Sequence, residues 1–257
     1  MTKVMGNEYF QRRLEKKVSK LQYYMGIGAG TGVESSGERA VFDLLPKTKN
    51  EPVVVFDVGA NKGQFLGLSL ELLSHEYAIH CFEPGAETFK LLSKSVAGNP
   101  RVHLNNIGLG KEEGELTLHY DCLGSGMASL TKRRLGHFGL QFEQSESVKI
   151  STVDGYCEEN KIDRISLLKI DVEGHELDVL EGASNMLLSK MVDVVMFEFG
   201  GCNIDTRTYF QDFWYLFQKL DMQLFRITPS GYLHYIKNYK ETMEQFRTTN
   251  FVAVLQR

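Results

Sequence analysis

Leu168-Lys169-Ile170-Asp171-Val172-Glu173-Gly174-His175-Glu176 packs three carboxylates and an imidazole into nine residues. Such groups move protons near neutral pH. Capping a helix N-terminus would use only one of them, Asp171 or Glu173. Lys169 reads as structural, turned to the other face from Asp171. Glu198 closes the apolar run Val195-Met196-Phe197-Glu198 and adds a further carboxylate. Upstream, Asp57-Val58-Gly59-Ala60-Asn61-Lys62-Gly63-Gln64 follows a short apolar run. Gly59 and Gly63 permit a sharp turn and close approach of a ligand to backbone, and the helix start beyond offers free N–H groups. The spacing matches neither G-x-G-x-x-G nor a P-loop ending in G-K-[ST]. Glu83 stands 26 residues after Asp57, where an acidic side chain can accept both hydroxyls of a ribose.

Positioning these groups requires an alternating α/β chain. Val53-Val54-Val55-Phe56, Ala78-Ile79-His80-Cys81-Phe82, residues 101–104, 165–170 and 192–199 read as strands apolar on both faces. Helical stripes separate most of them: Phe65, Leu68, Leu72 and Leu73; Phe89, Leu92 and Val96; Leu177, Leu180, Ala183 and Leu187. Phe210, Phe213, Trp214, Phe217 and Leu220 form another stripe after the fifth strand. That pattern specifies a parallel sheet covered on both faces. Leu116, Leu118 and Tyr120 alternate, as do Val148 and Ile150, so a strand pair is inserted, with the long loop 121–147 between. Loops of that length are commonly lids or binding loops. Residues 222–227, 232–236 and 251–255 are strand-like without a full crossover helix between the first two, which ends the sheet in an antiparallel pair.

Ahead of this domain, residues 8–25 carry Phe10, Leu14, Val18, Leu21 and Met25 at helical spacing among Arg12, Arg13, Lys16, Lys17 and Lys20. The simpler reading is a helix packed on the main domain with its basic face in water. The other is a helix for a membrane surface or an acidic partner. A glycine-rich join, 26–37, follows. The expected division is an N-terminal helical extension over 1–50 and one domain over 51–257.

The 257 residues, 42% hydrophobic with sixteen Phe and eleven Tyr, exclude a disordered chain. A formal charge of −4 argues against a nucleic-acid partner. Cys81, Cys122, Cys157 and Cys202 are too scattered for a zinc site or disulfide framework. With no apolar signal region and no membrane span, the expected location is cytoplasmic.

Together, Asp57-Val58-Gly59-Ala60-Asn61-x-Gly63, Phe82-Glu83-Pro84 and Lys169-Ile170-Asp171-Val172-Glu173-Gly174-x-Glu176 resemble the FkbM-type family of class I S-adenosylmethionine-dependent methyltransferases. The similar region runs from about 53 to about 199. The resemblance implies a Rossmann-like, seven-stranded, mostly parallel sheet with an antiparallel last strand. It implies O-methylation of a sugar, glycan or polyketide-like small molecule, with S-adenosylmethionine as cofactor. Carried over, it assigns Asp57, Gly59, Ala60, Asn61, Gly63 and Gln64 to the cofactor's methionine and ribose. Glu83 would hold the ribose hydroxyls and Pro84 would lie beside the adenine, with Asn106 and Ile107 at the adenine edge. Asp171 would face the methionine end. Glu38, 19 residues before Asp57, resembles a glutamate that precedes the glycine turn in this family and is a further cofactor or substrate contact.

A sugar hydroxyl is a poor nucleophile, so its methylation needs alignment, exclusion of water and a base. The candidates are Asp171, Glu173, His175 and Glu198. No ligand spacing supports a metal. Ser129 and Lys132-Arg133-Arg134 in the long loop are candidates to border the acceptor. A nicotinamide-dependent oxidoreductase, with a parallel sixth strand, and a non-catalytic cofactor-binding module are the alternatives. Oligomeric state is left open.

Overall fold

The computed structural model describes residues 6–46, 52–96 and 98–256. In chain order the elements are α1 (Glu8–Tyr24), a 3-10 helix (Glu38–Leu44), β1 (Val53–Val58), α2 (Gln64–Leu72), β2 (Tyr77–Phe82), α3 (Ala86–Ser95) and β3 (Val102–Asn105). An inserted region holds β4 (Gly108–Leu109), β5 (Gly114–Tyr120) and β6 (Gln144–Ser151). Then follow α4 (Val153–Asn160), β7 (Ile165–Ile170), α5 (Glu176–Glu181), α6 (Ser184–Leu188) and β8 (Val192–Phe199). The chain ends with α7 (Cys202–Thr206), α8 (Phe210–Lys219), β9 (Met222–Ile227), β10 (Leu233–Tyr235) and β11 (Thr249–Leu255).

The main sheet runs β10-β9-β11-β8-β7-β1-β2-β3. Strands β3, β2, β1, β7 and β8 are parallel neighbours, and β11 is antiparallel to both β8 and β9. An antiparallel β11 at that place is the expected topology and departs from the all-parallel nicotinamide alternative. The count is eight rather than seven, because β9 turns back into the three-residue β10. The insertion is likewise one strand richer than expected: β4 pairs in parallel with β6, which is antiparallel to β5.

Both faces are packed. Phe56, Val58, Ile170, Phe197 and Phe251 meet Phe210, Phe213 and Phe217 of α8 on one side. Val55, Ile79, Leu167 and Met196 meet Phe65, Leu66 and Leu92 on the other, joined by Val41 of the 3-10 helix. Strand alternation sends Asp57, Lys169 and Asn250 to this second face. At that face the apolar ladder gives way to charge at the carboxyl edge.

α1 departs from the expectation of a helix packed on the domain. Asn7 caps it by accepting the Phe10 N–H at 3.1 Å, yet none of its residues is buried. Val18 and Leu21 stay 50% and 61% exposed. Among the described residues no helix is long and apolar enough to cross a membrane.

Candidate active site

Gly59 is the pivot of the site. It has φ 74°, and a Cβ there would stand 1.8 Å from the backbone oxygen of Asp171. Only glycine allows β1 to leave the sheet directly beside the end of β7. Register then pairs Asp57 with Lys169. Lys169 Nζ lies 2.9 Å from Asp57 Oδ1, donates to the Gly59 oxygen at 3.1 Å and stands 3.8 Å from Asp171 Oδ2. Burial opposes the Lys169 charge, but Asp57, Asp171 and Glu38 outweigh it and hold its pKa above the ordinary value. The expectation that Lys169 turns away from Asp171 is therefore wrong. Residues two apart on a strand share a face.

At the end of β2, Glu83 Oε2 accepts the Asn61 N–H at 3.0 Å and Oε1 accepts the Gly85 N–H at 2.9 Å. Burial nevertheless pushes its carboxyl up to about 7. Asn61 sits at φ 48°, and its buried Oδ1 has no hydrogen-bond partner among the described residues. Glu83, Pro84, Asn61, Gly59, Asp171, Glu173 and His175 line one cleft. Ala60 is buried behind it, while Gln64 is exposed and its Oε1 accepts the Lys62 N–H. Asn106 braces the turn by donating to the Glu83 and Pro84 oxygens at 2.9 and 3.0 Å. Ile107 packs against the core, and Gly108 and Leu109 beside it line the cleft. Glu38 is buried, with Oε1 accepting from Ser36 Oγ at 2.7 Å and Asn250 Nδ2 at 2.8 Å. Burial raises its pKa, and it senses Lys169 and Asp171 across the same face.

The other wall is the turn after β7. Glu176 is fully buried, with Oε1 accepting the Val172 and Gly174 N–H groups and Oε2 accepting from Asn203. It holds the turn's shape. Glu173, at φ 54°, pairs with Arg133, and burial followed by repulsion from Asp171 pushes it up to about 8. Glu198 is raised well above the carboxylate range by burial and then by Asp171, Glu173, Glu176 and Glu38. His175 Nδ1 lies 2.6 Å from Asp178 Oδ2, and its Nε2 lies 3.0 Å from Thr131 Oγ1. Neither Asp178 nor Thr131 stood out in the sequence. The i, i+3 spacing of His175 and Asp178 was the available signal.

The long loop, 121–143, folds over this cleft. Ser129 donates to the Glu173 oxygen at 2.8 Å, Arg133 reaches Glu173 and Asp205, and Gly126 presses against Asn61 Nδ2. Of the basic cluster only Arg133 turns inward; Lys132 and Arg134 are exposed. With the loop down, the cleft holds about 70 Å³. That is well under the roughly 300 Å³ at which small-molecule pockets begin. A larger cavity, about 620 Å³, runs between the 3-10 helix and the amino ends of β1 and β2 and is lined by none of the rim groups.

The sequence model of the family described as the methyltransferase FkbM domain matches residues 57–226. The hexuronic acid methyltransferase AglP of Haloferax volcanii is 28% identical over 154 residues, 60% of this chain and 59% of that protein. The 2-O-methyltransferase NoeI of Sinorhizobium fredii is 26% identical over 160 residues, 58% of this chain and 63% of that one. The match thus spans about three fifths of the length of these curated relatives. A solved structure of a methyltransferase FkbM from Methylobacillus flagellatus aligns over 93% of this chain and 60% of its own, with 13% identity and a TM-score of 0.48. The family match opens on Asp57, where the glycine turn begins, and closes within β9, so it takes in both walls of the cleft: this chain belongs to the methyltransferase FkbM domain family.

Proposed function

We propose that the protein transfers a methyl group from S-adenosylmethionine to a hydroxyl of a sugar or glycan. The observation that carries the reading is the meeting, in one cleft, of an adenosyl cradle and a proton-accepting wall. Glu83 has one backbone N–H on each oxygen and keeps a lone pair on each for ribose hydroxyls. The unpartnered Asn61 Oδ1 is an acceptor awaiting a donor. Asp171 lines the same cleft, where in this reading it would accept the cofactor's ammonium, and Glu38 stands near Lys169 on the same face. These residues fit the cofactor's donor groups. When bound, S-adenosylmethionine supplies an electrophilic methyl carbon on a positively charged sulfur. The name of AglP, a hexuronic acid methyltransferase, favours a sugar acceptor over a polyketide-like one, and that of NoeI, a 2-O-methyltransferase, favours oxygen as the methylated atom.

Of the four catalytic candidates, the surroundings favour His175 as the base. Burial and the neighbouring carboxylates push Glu173 up to about 8 and hold Glu198 well above the carboxylate range, which makes both poor proton acceptors at neutral pH. Asp178, acceptor-only when ionised, accepts a hydrogen bond from His175 Nδ1–H, the tautomer that leaves the Nε2 lone pair toward the cleft. Thr131 donates to that nitrogen while the loop is down. In this reading a bound acceptor hydroxyl takes Thr131's place and gives its proton to Nε2 as its oxygen attacks.

Titration calorimetry with S-adenosylmethionine and S-adenosylhomocysteine, followed by transfer of labelled methyl to glycans bearing free hydroxyls, tests the whole. Binding of both compounds with label in an ether-linked methyl supports it. Tight binding of NAD in their place would sink it, and cofactor binding without transfer to any acceptor would favour the non-catalytic module.

A further inference from the structure

None of the residues of α1 is buried, Phe10, Leu14 and Gln22 being half-buried and the rest exposed, and its side chains are sorted. At about 100° per residue, Phe10, Leu14, Val18, Leu21 and Met25 fall within one arc of roughly 80°. Arg13, Lys17 and Lys20 occupy one flank of that stripe, with Arg12 and Lys16 beyond them, and Tyr9, Tyr23 and Tyr24 are interleaved. Glu8, Glu15, Gln11 and Ser19 take the other flank, and Arg12, Lys16, Tyr9 and Tyr23 lie on the side opposite the stripe. The helix carries five basic and two acidic side chains, although the whole chain is net −4. Lys16, Lys17 and Lys20 have no acidic partner among the described residues; Lys20 lies 5.8 Å over the Tyr24 ring. Tyr24 and Tyr9 are more than 60% exposed.

The helix is also firmly rooted. A Cβ on Gly26 would lie 2.2 Å from the Ile227 oxygen, and Arg226 Nε donates to the Met25 oxygen at 2.7 Å. Gln22 is bonded to Gln245 and Arg247 at 2.7 and 2.6 Å. Ile227 and Arg247 stand at the carboxyl edge of the sheet, the edge that carries Asp171 and Glu173.

We infer that α1 is an interfacial helix that seats the protein on an anionic lipid bilayer, with the candidate site's edge toward the membrane. The apolar stripe enters the boundary between headgroups and acyl chains, Tyr24 on its basic flank sits at headgroup level, and Arg13, Lys17 and Lys20 meet anionic headgroups. The helix is about 25 Å long and lies in the plane rather than crossing it. Charge sorting decides against the other occupants. Nucleic acid needs the basic flank but not an apolar stripe beside it. A second copy needs an apolar seam sustained over at least about three heptads, and 17 residues are too few.

Vesicle flotation tests this without reference to methyl transfer. The full chain is mixed with vesicles of phosphatidylcholine alone, or with about a quarter phosphatidylglycerol. It is expected to float with the second and not the first, and to be released by high salt. Each basic residue near an anionic leaflet contributes roughly fivefold in partitioning. Lys16→Glu/Lys17→Glu/Lys20→Glu therefore loses at least about a hundredfold. Val18→Glu/Leu21→Glu, at exposed positions, also abolishes flotation while far-UV circular dichroism is unchanged. Failure of the wild type to float overturns the inference, as does flotation that survives both variants. So does a lipid-independent dimer in sedimentation that Val18→Glu/Leu21→Glu dissolves, or retention of a labelled RNA duplex without flotation.

Discussion

Lys169→Met offers the sharpest test of how the carboxyl rim is held together. In the wild type the ammonium is 2.9 Å from Asp57 Oδ1, and Asp57 is fully buried. At an effective dielectric of about 20, two unit charges at that distance attract by roughly 6 kcal/mol. Desolvation offsets most of that gain, so the intact pair contributes little net stability. Removing one partner is another matter, because it strands the other charge. Truncation is expected to destabilise by about 3–5 kcal/mol. For a chain of this size that lowers Tm by roughly 6–20 °C. Asp57→Asn/Lys169→Met removes both charges and should recover most of the loss. The pH dependence has a definite sign. Lys169 has a raised folded pKa, so its contribution is complete below the unfolded value near 10.4 and fades only above it. Urea denaturation of the four proteins of the cycle, at pH 5 and pH 8, measures each quantity. A Lys169→Met deficit under about 1 kcal/mol, or a double variant as unstable as the sum of the singles, would refute the reasoning.

Glu83→Gln should weaken S-adenosylhomocysteine binding by about 10–100-fold in calorimetry, as expected on losing hydrogen bonds to a charged group. Wild-type affinity should fall as pH drops through about 7, where Glu83 protonates, and the Gln variant should not follow. Because that folded pKa lies above the unfolded one, Glu83 favours the folded state most at low pH. Stability should therefore decline between about 4.3 and 7, and less steeply in the Gln variant. His175→Ala should reduce kcat by about 10²–10⁴ without changing cofactor Kd. Asp178→Asn should move the pH–rate profile rather than abolish activity, and unchanged kinetics in both would remove His175 as the base. Arg133→Gln should free the loop, seen as faster amide exchange across 121–135, with cofactor association accelerated in stopped flow; unchanged exchange would show that Arg133 does not hold it down.

Much of the site could be read locally. Apolar runs with β-branched residues on both faces can only be central strands, and they place Asp57, Glu83, Asp171 and Glu198 at strand ends before any contact is known. Gly59 and Gly63 mark the turn because few other residues tolerate it. Short or interposed elements were less legible. β4 has two residues, too few to show a period, which is why the insertion gained a third strand; the β10 segment did read as strand-like, and the expected seven came from the family resemblance. Lys169 was misread although the sequence held the answer, since positions 169 and 171 share a strand face.

What the sequence alone determined is which residue types stand at the ends of which strands, because backbone period and turn chemistry act over a few residues. The tertiary fold decided their partners. Glu38 finds Asn250 across 212 positions, Arg133 leaves an exposed cluster to reach Glu173 across 40, and Thr131 meets His175 across 44. Burial by distant segments then raised the pKa values of Glu83, Glu173 and Glu198. Desolvation depends on what closes over a group, and neighbours in the chain do not reveal that.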